Sequence, residues 1–121
     1  MLDENISPVV AQQIQLKRPD ITIDSVYTWR DGAFLRLPDE ALIPALYPDR
    51  WVLVTFDTQI LAEQPFLFDG ALPHAGILFV DYETVAPGNF GGLIRALISF
   101  WEDFGTQNWE GRMGFLRAVG K

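Results

Sequence analysis

The chain has no cysteine and a single histidine among its 121 residues. The first absence excludes a disulfide framework and any thiolate metal site. The second leaves His74, in the stretch Pro73-His74-Ala75-Gly76, without the second imidazole or thiolate of a transition-metal centre, so it reads as structural. No apolar run approaches the roughly 20 residues of a membrane span. The opening Met1-Leu2-Asp3-Glu4 lacks the basic stretch of a secretory signal. These absences lead to the expectation of a cytoplasmic protein with no membrane partner. Positive charge is scarce as well. Nine Lys and Arg stand against sixteen Asp and Glu, for a net charge of −7, and no basic stripe of the kind a duplex-binding protein carries is visible.

Apolar residues make up 49% of the chain and charged residues 21%, a globular balance at the size of one domain spanning 1–121. The organising stretch is Trp51-Val52-Leu53-Val54-Thr55-Phe56-Asp57. A short β-branched run of this kind, flanked by Pro48-Asp49-Arg50, suits a strand buried on both faces. It ends in a carboxylate. In an open parallel sheet, function gathers outside the carboxyl ends of the strands. A very short first strand at Met1-Leu2 would carry Asp3 and Glu4 to the same kind of position.

The rest of the chain alternates. Ser7-Pro8 supplies an N-cap and a proline at the first helical position, with Val9, Val10, Ile14 and Leu16 as an apolar face and Pro19 as a stop. Ile21 to Tyr27 reads as a strand, Trp29-Arg30-Asp31-Gly32 as a turn, and Asp39 as the cap of a helix through Leu46 that Pro44 kinks or shortens. A helical piece at Thr58–Gln64 and a loop from Pro65 to Ala75 follow, then a strand from Gly76 to Val80 ending at Asp81. Asn89 caps the longest helix. Its stripe Phe90, Leu93, Ile94, Leu97, Ile98 and Trp101 keeps a helical period, and Gly105 ends it. Met113 to Val119 reads as a last strand. The pattern predicts a three-layer α/β domain with a mainly parallel sheet.

Asp3, Glu4, Asp39, Asp57 and Asp81 all fall at element ends. Carboxylates crowded together repel one another unless a cation neutralises them, and an all-oxygen donor set points to Mg²⁺ or Mn²⁺. Each acid also has a plainer reading: Asp39 and Asp57 as helix caps, Asp3-Glu4 as solvated residues ahead of the first helix.

Three segments carry a resemblance: Leu2-Asp3-Glu4-Asn5-Ile6-Ser7-Pro8, Pro38-Asp39-Glu40-Ala41-Leu42-Ile43 and Val52-Leu53-Val54-Thr55-Phe56-Asp57. In this order, over roughly residues 1–100, the chain resembles the small PIN-like domain proteins related to the VapC-type toxins. The resemblance implies a PIN-like α/β/α fold and a Mg²⁺- or Mn²⁺-dependent endoribonuclease lineage, with RNA as substrate and a small antitoxin as partner. It matches Asp3 to the first-strand metal ligand, Asp39 to the helix-start acid and Asp57 to the strand-end acid, with Glu4 adjacent as an assisting ligand. The chain departs from the pattern after Asp57. Such proteins commonly carry a further acid two positions on, followed by an aromatic, and here Gln59 and Ile60 stand there.

That departure motivates an alternative, a catalytically silent PIN-like interaction module. A phospho-acceptor receiver domain shares the acidic pair near the start and an Asp after a central strand, but it also needs a Ser or Thr after the fourth strand and a Lys after the fifth. Asn5 either orients Asp3 or caps a turn. Arg30, Arg36 and Arg95 are the cations within reach of a phosphate chain or simply solvated surface. The four tryptophans read as core or interface, and the apolar helix around Leu93–Trp101 is compatible with a homodimer.

Overall fold

A computed structural model describes residues 1–60 and 73–119. The protein is a mixed α/β structure with three helices and a three-stranded parallel sheet among the described residues. Helix α1 spans Pro8–Lys17, α2 Asp39–Leu46 and α3 Phe90–Phe104; the strands are β1 Leu53–Thr55, β2 Ile77–Phe79 and β3 Met113–Phe115. Sheet order is β1-β2-β3, with Val54 opposite Leu78 and Leu78 opposite Gly114.

The short first strand is real but contracts to one residue. Leu2 bridges in parallel to Val54 on one side and Ser25 on the other. Asp3 N donates to Val54 O at 2.9 Å and Val54 N to Met1 O at 2.8 Å, so the chain's opening is stitched onto β1. The parallel array therefore runs Ser25, Leu2, β1, β2, β3. The order of connection reverses between Leu2 and β1, which makes that pair the topological switch point.

Side chains along these segments alternate, as the pleat requires. Val54, Leu78 and Val80 join Leu2, Val10 and Ile14 of α1 and Leu93 and Leu97 of α3 in one apolar cluster. Leu53, Ile77 and Phe79 join Leu42, Ile43 and Leu46 of α2 in a second. Helices α1 and α3 therefore share one face of the sheet. Yet the Leu2-to-Ser25 and β2-to-β3 crossovers that contain them step in opposite directions, so the two crossovers have opposite hands. One departs from the right-handed rule for parallel units.

The helices follow their predicted signals with local corrections. Ser7 Oγ accepts from Val9 N at 3.3 Å, and Asn89 Oδ1 accepts from Gly92 N at 3.0 Å. On α1 only Val10, Ala11 and Ile14 are buried, while Val9 and Leu16 point to solvent. This i, i+1, i+4 stripe is the part of α1 that packs into the cluster with the sheet and α3. Pro38, not Asp39, occupies the cap of α2. Asp39 is its first helical residue, where a carboxylate complements the helix dipole, and the helix runs through Pro44.

The strand expected over Ile21–Tyr27 reduces to the bridge at Ser25. Asp24 Oδ1 accepts from Ser25 N and from Thr28 Oγ1, and Ser25 Oγ accepts from Tyr27 N. These short-range side-chain bonds turn the backbone away from a ladder. Trp29–Gly32 is a 3₁₀ turn, with Arg30 and Asp31 in the left-handed region. The strands predicted over Trp51–Thr55, Gly76–Val80 and Met113–Val119 shorten to three residues each. The helical piece at Thr58–Gln64 and the loop from Pro65 lie largely outside the described residues. No helix among the described residues is long and apolar enough to cross a membrane.

Candidate functional site

At the carboxyl ends of Leu2 and β1, a cavity of about 340 Å³ is lined by Asp3, Glu4, Asn5, Asp39 and Asp57, with Phe34, Leu37, Pro38 and Leu42 forming its apolar side. Four carboxylates from three separate segments meet one space at the switch point. No Lys or Arg is among the described residues lining it. Asp81, the fifth acid at an element end, is exposed after β2 and lies outside this lining; its Oδ1 accepts from Glu83 N at 2.8 Å.

Asp3 is 6% exposed, and both its oxygens are held from within. Oδ1 accepts from Glu4 N at 2.8 Å and Oδ2 from Thr55 Oγ1 at 2.7 Å. Asp57 is half-buried and caps the turn after β1, its Oδ1 accepting from Gln59 N at 3.0 Å. Gln59 itself is exposed. Glu4 is half-buried, and its carbonyl accepts from Tyr27 Oη at 2.9 Å.

Asn5 reaches Asp3 only through Thr55. Its Nδ2 donates to Thr55 Oγ1 at 3.1 Å and its Oδ1 accepts from Phe56 N at 3.2 Å, so it ties the first loop to the end of β1. The residue that sequence reasoning passed over is Thr55. As the last residue of a buried strand it reads as β-propensity filler, and only the pairing of Leu2 with Val54 brings its hydroxyl against Asp3.

The donor chemistry of this cavity fits a hard divalent cation: four carboxylates, oxygen only. The spacing sets a limit. Among the described residues, no three Asp, Glu or His side chains stand close enough to share one ion. Mg²⁺ commonly binds through one or two carboxylates and keeps several waters, so the arrangement fits that mode rather than a closed protein cage.

A larger cavity of about 630 Å³ lies at the amino ends of the strands, where Met1, Val52 and all four tryptophans line it. Its size does not make it the reactive site. Its walls are mainly aromatic and aliphatic, and two of its carboxylates are engaged by arginines: Asp20 by Arg18 at 3.1 Å and Asp49 by Arg30 at 3.7 Å. His74 is buried beside the first residue before β2; its Nδ1 accepts from Gly76 N at 3.2 Å, and burial lowers its pKa below the usual imidazole value. Arg30 stacks on Trp29, 4.6 Å from the ring centre, while Arg36 and Arg95 are exposed.

No protein-family model, no curated protein and no solved structure matches this chain.

Proposed function

We propose that the protein is a PIN-like domain with a three-layer α/β/α architecture, acting as a Mg²⁺- or Mn²⁺-dependent endoribonuclease in the cytoplasm, as the toxin half of a pair with a small antitoxin protein. One observation carries the reading. Asp3, Asp39 and Asp57, singled out together with Glu4 from the sequence, line a single cavity at the carboxyl ends of two adjacent parallel strands.

In this reading Asp3 and Asp57, from adjacent strand ends, hold the cation; Asp39 and Glu4 complete the negative lining. The ion, when bound, supplies a water of lowered pKa and offsets charge on a phosphoryl group. The protein's own part is to position. Asp3 is fixed from two sides by Glu4 N and Thr55 Oγ1, and Asp57 is held by its bond to Gln59 N. Phe34 and Leu37 give the cavity an apolar flank.

A second reading, a catalytically silent interaction module, is favoured by Gln59 and by the absence of any three acids within reach of one ion among the described residues. The receiver-like reading shares the strand order. It is disfavoured because right-handed crossovers in such a sheet would set α3 on the face opposite α1, and Val80-Asp81 follows β2 where a Ser or Thr is needed.

The test is cleavage of a fluorophore–quencher single-stranded RNA with Mn²⁺ against chelator. Mn²⁺-dependent cleavage by the wild type that Asp57→Asn abolishes supports the nuclease. No cleavage by the wild type favours the silent module, and cleavage that survives Asp57→Asn overturns the place of Asp57 in the site.

A further inference from the structure

We propose that Thr55 is a positioning residue, its single hydroxyl locking the Asp3 carboxylate and the Asp57 backbone into one rigid unit, with Asn5 as the brace that holds the hydroxyl in place. The hydroxyl is 0% exposed and saturated: it donates to Asp3 Oδ2 at 2.7 Å and accepts from Asn5 Nδ2 at 3.1 Å and Asp57 N at 3.0 Å. One donor and two acceptor sites are all a hydroxyl has. Because the Asn5 amide and the Asp57 N–H occupy both acceptor sites, the single proton is directed to Asp3. The direction of that proton is thus set by the surroundings.

The network crosses between two chain segments, since 52 residues separate Thr55 from Asp3. Asn5 closes it a second time by accepting from Phe56 N at 3.2 Å. Asp3 Oδ1 is held by Glu4 N, so with Oδ2 on Thr55 the carboxylate plane is fixed, and only its remaining lone pairs face the cavity. A buried polar network satisfied to this extent specifies one geometry, whereas loss of one member leaves its partners unpaired. Groups that orient a metal-ligating carboxylate typically change metal affinity 10- to 100-fold when removed.

The positioning is a property of the protein without any ion, and its consequence for cation affinity rests on the proposed function. The experiment reads the two separately. Amide hydrogen exchange of Glu4, whose N–H donates to Asp3 Oδ1, reports the carboxylate's orientation in the absence of metal, with the core amide of Leu93 as reference for global opening. Mn²⁺ titration by calorimetry reports the consequence. In Thr55→Val, nearly the same shape without the hydroxyl, exchange of Glu4 relative to Leu93 accelerates at least about tenfold and Mn²⁺ affinity falls about 10- to 100-fold. Thr55→Ser restores both, which a purely steric role for the side chain does not predict. Asn5→Ala, an exposed change that leaves the core untouched, shifts both in the same direction.

Wild-type Glu4 exchange in Thr55→Val or Asn5→Ala overturns the positioning, and so does failure of Thr55→Ser to restore it. Faster exchange with unchanged Mn²⁺ affinity overturns the link to the ion. If the wild type binds no Mn²⁺, the proposed function falls, and Glu4 exchange alone decides whether the lock exists.

Discussion

Leu2 pairs in parallel with Val54, and this one bridge sets the strand ends carrying Asp3 and Asp57 side by side. The acidic cavity depends on it. It places an element of one residue at the switch point of the sheet and turns two distant acidic segments into neighbours.

The approach of the β2 entry to the segment before β3 leaves no room at Gly76. Its φ is +129°, a region side chains rarely adopt, and a Cβ there would meet Trp109 Cβ at 2.8 Å and Trp109 O at 2.9 Å. Gly76→Ala combines backbone strain with an overpacked contact and is predicted to destabilise the fold by about 2 kcal/mol or more. Urea unfolding checks this. A loss under half that size would mean the two backbones separate readily.

Asn89 closes the first turn of α3 through its bond to Gly92 N, and α3 buries Leu93, Ile94, Ala96 and Leu97 against the sheet. Asn89→Ala is predicted to cost about 1 kcal/mol, whereas Asn89→Asp, which keeps the acceptor, costs little. Thermal unfolding of the pair distinguishes a lost cap from a lost contact. Equal losses in both variants would contradict the capping role.

His74 gives the fold a pH dependence of known sign. Burial lowers its pKa below 6.5, so as the pH falls through that value the unfolded chain takes up a proton that the folded one refuses. The unfolded state then binds more protons, and stability declines on acidification from about pH 6.5 downward through the folded-state pKa. The Met1 amine, pushed down from 8.0 to about 5 by burial, adds a term of the same sign. His74→Asn keeps an acceptor for Gly76 N but does not titrate, and the Met1 term cancels in the comparison. The variant is predicted to lose less stability than wild type between pH 7.5 and pH 5.5 in urea unfolding. Parallel losses would remove His74 as the cause.

Much of this architecture was legible in the sequence because strong local signals agreed with the final packing. The Ser7-Pro8 and Asn89 caps and the stripe of α3 mark helices that stand where periodicity puts them. What could not be read depends on partners distant in sequence or on competition within a few residues. The run at Ile21–Tyr27 looks like a strand by composition, yet Asp24 and Ser25 spend their side chains on neighbouring backbone and leave one bridging residue. Val9 and Leu16 fit an apolar face until the width of the α1–α3 contact is known. In the site, the acids were visible as acids at element ends. Thr55 was not, because a hydroxyl at the end of a strand acquires a role only when Leu2 docks beside it.

The most direct test of the acidic cavity as a cation site is calorimetric titration of the protein with Mn²⁺ and Mg²⁺, repeated on Asp3→Asn and Asp57→Asn. Asp57→Asn keeps the acceptor for Gln59 N, so its fold stays intact while its charge is lost. Saturable binding in the wild type that both substitutions abolish is the predicted result. Absence of binding in the wild type at millimolar metal, or binding that survives either substitution, would contradict a shared ion between the two strand ends.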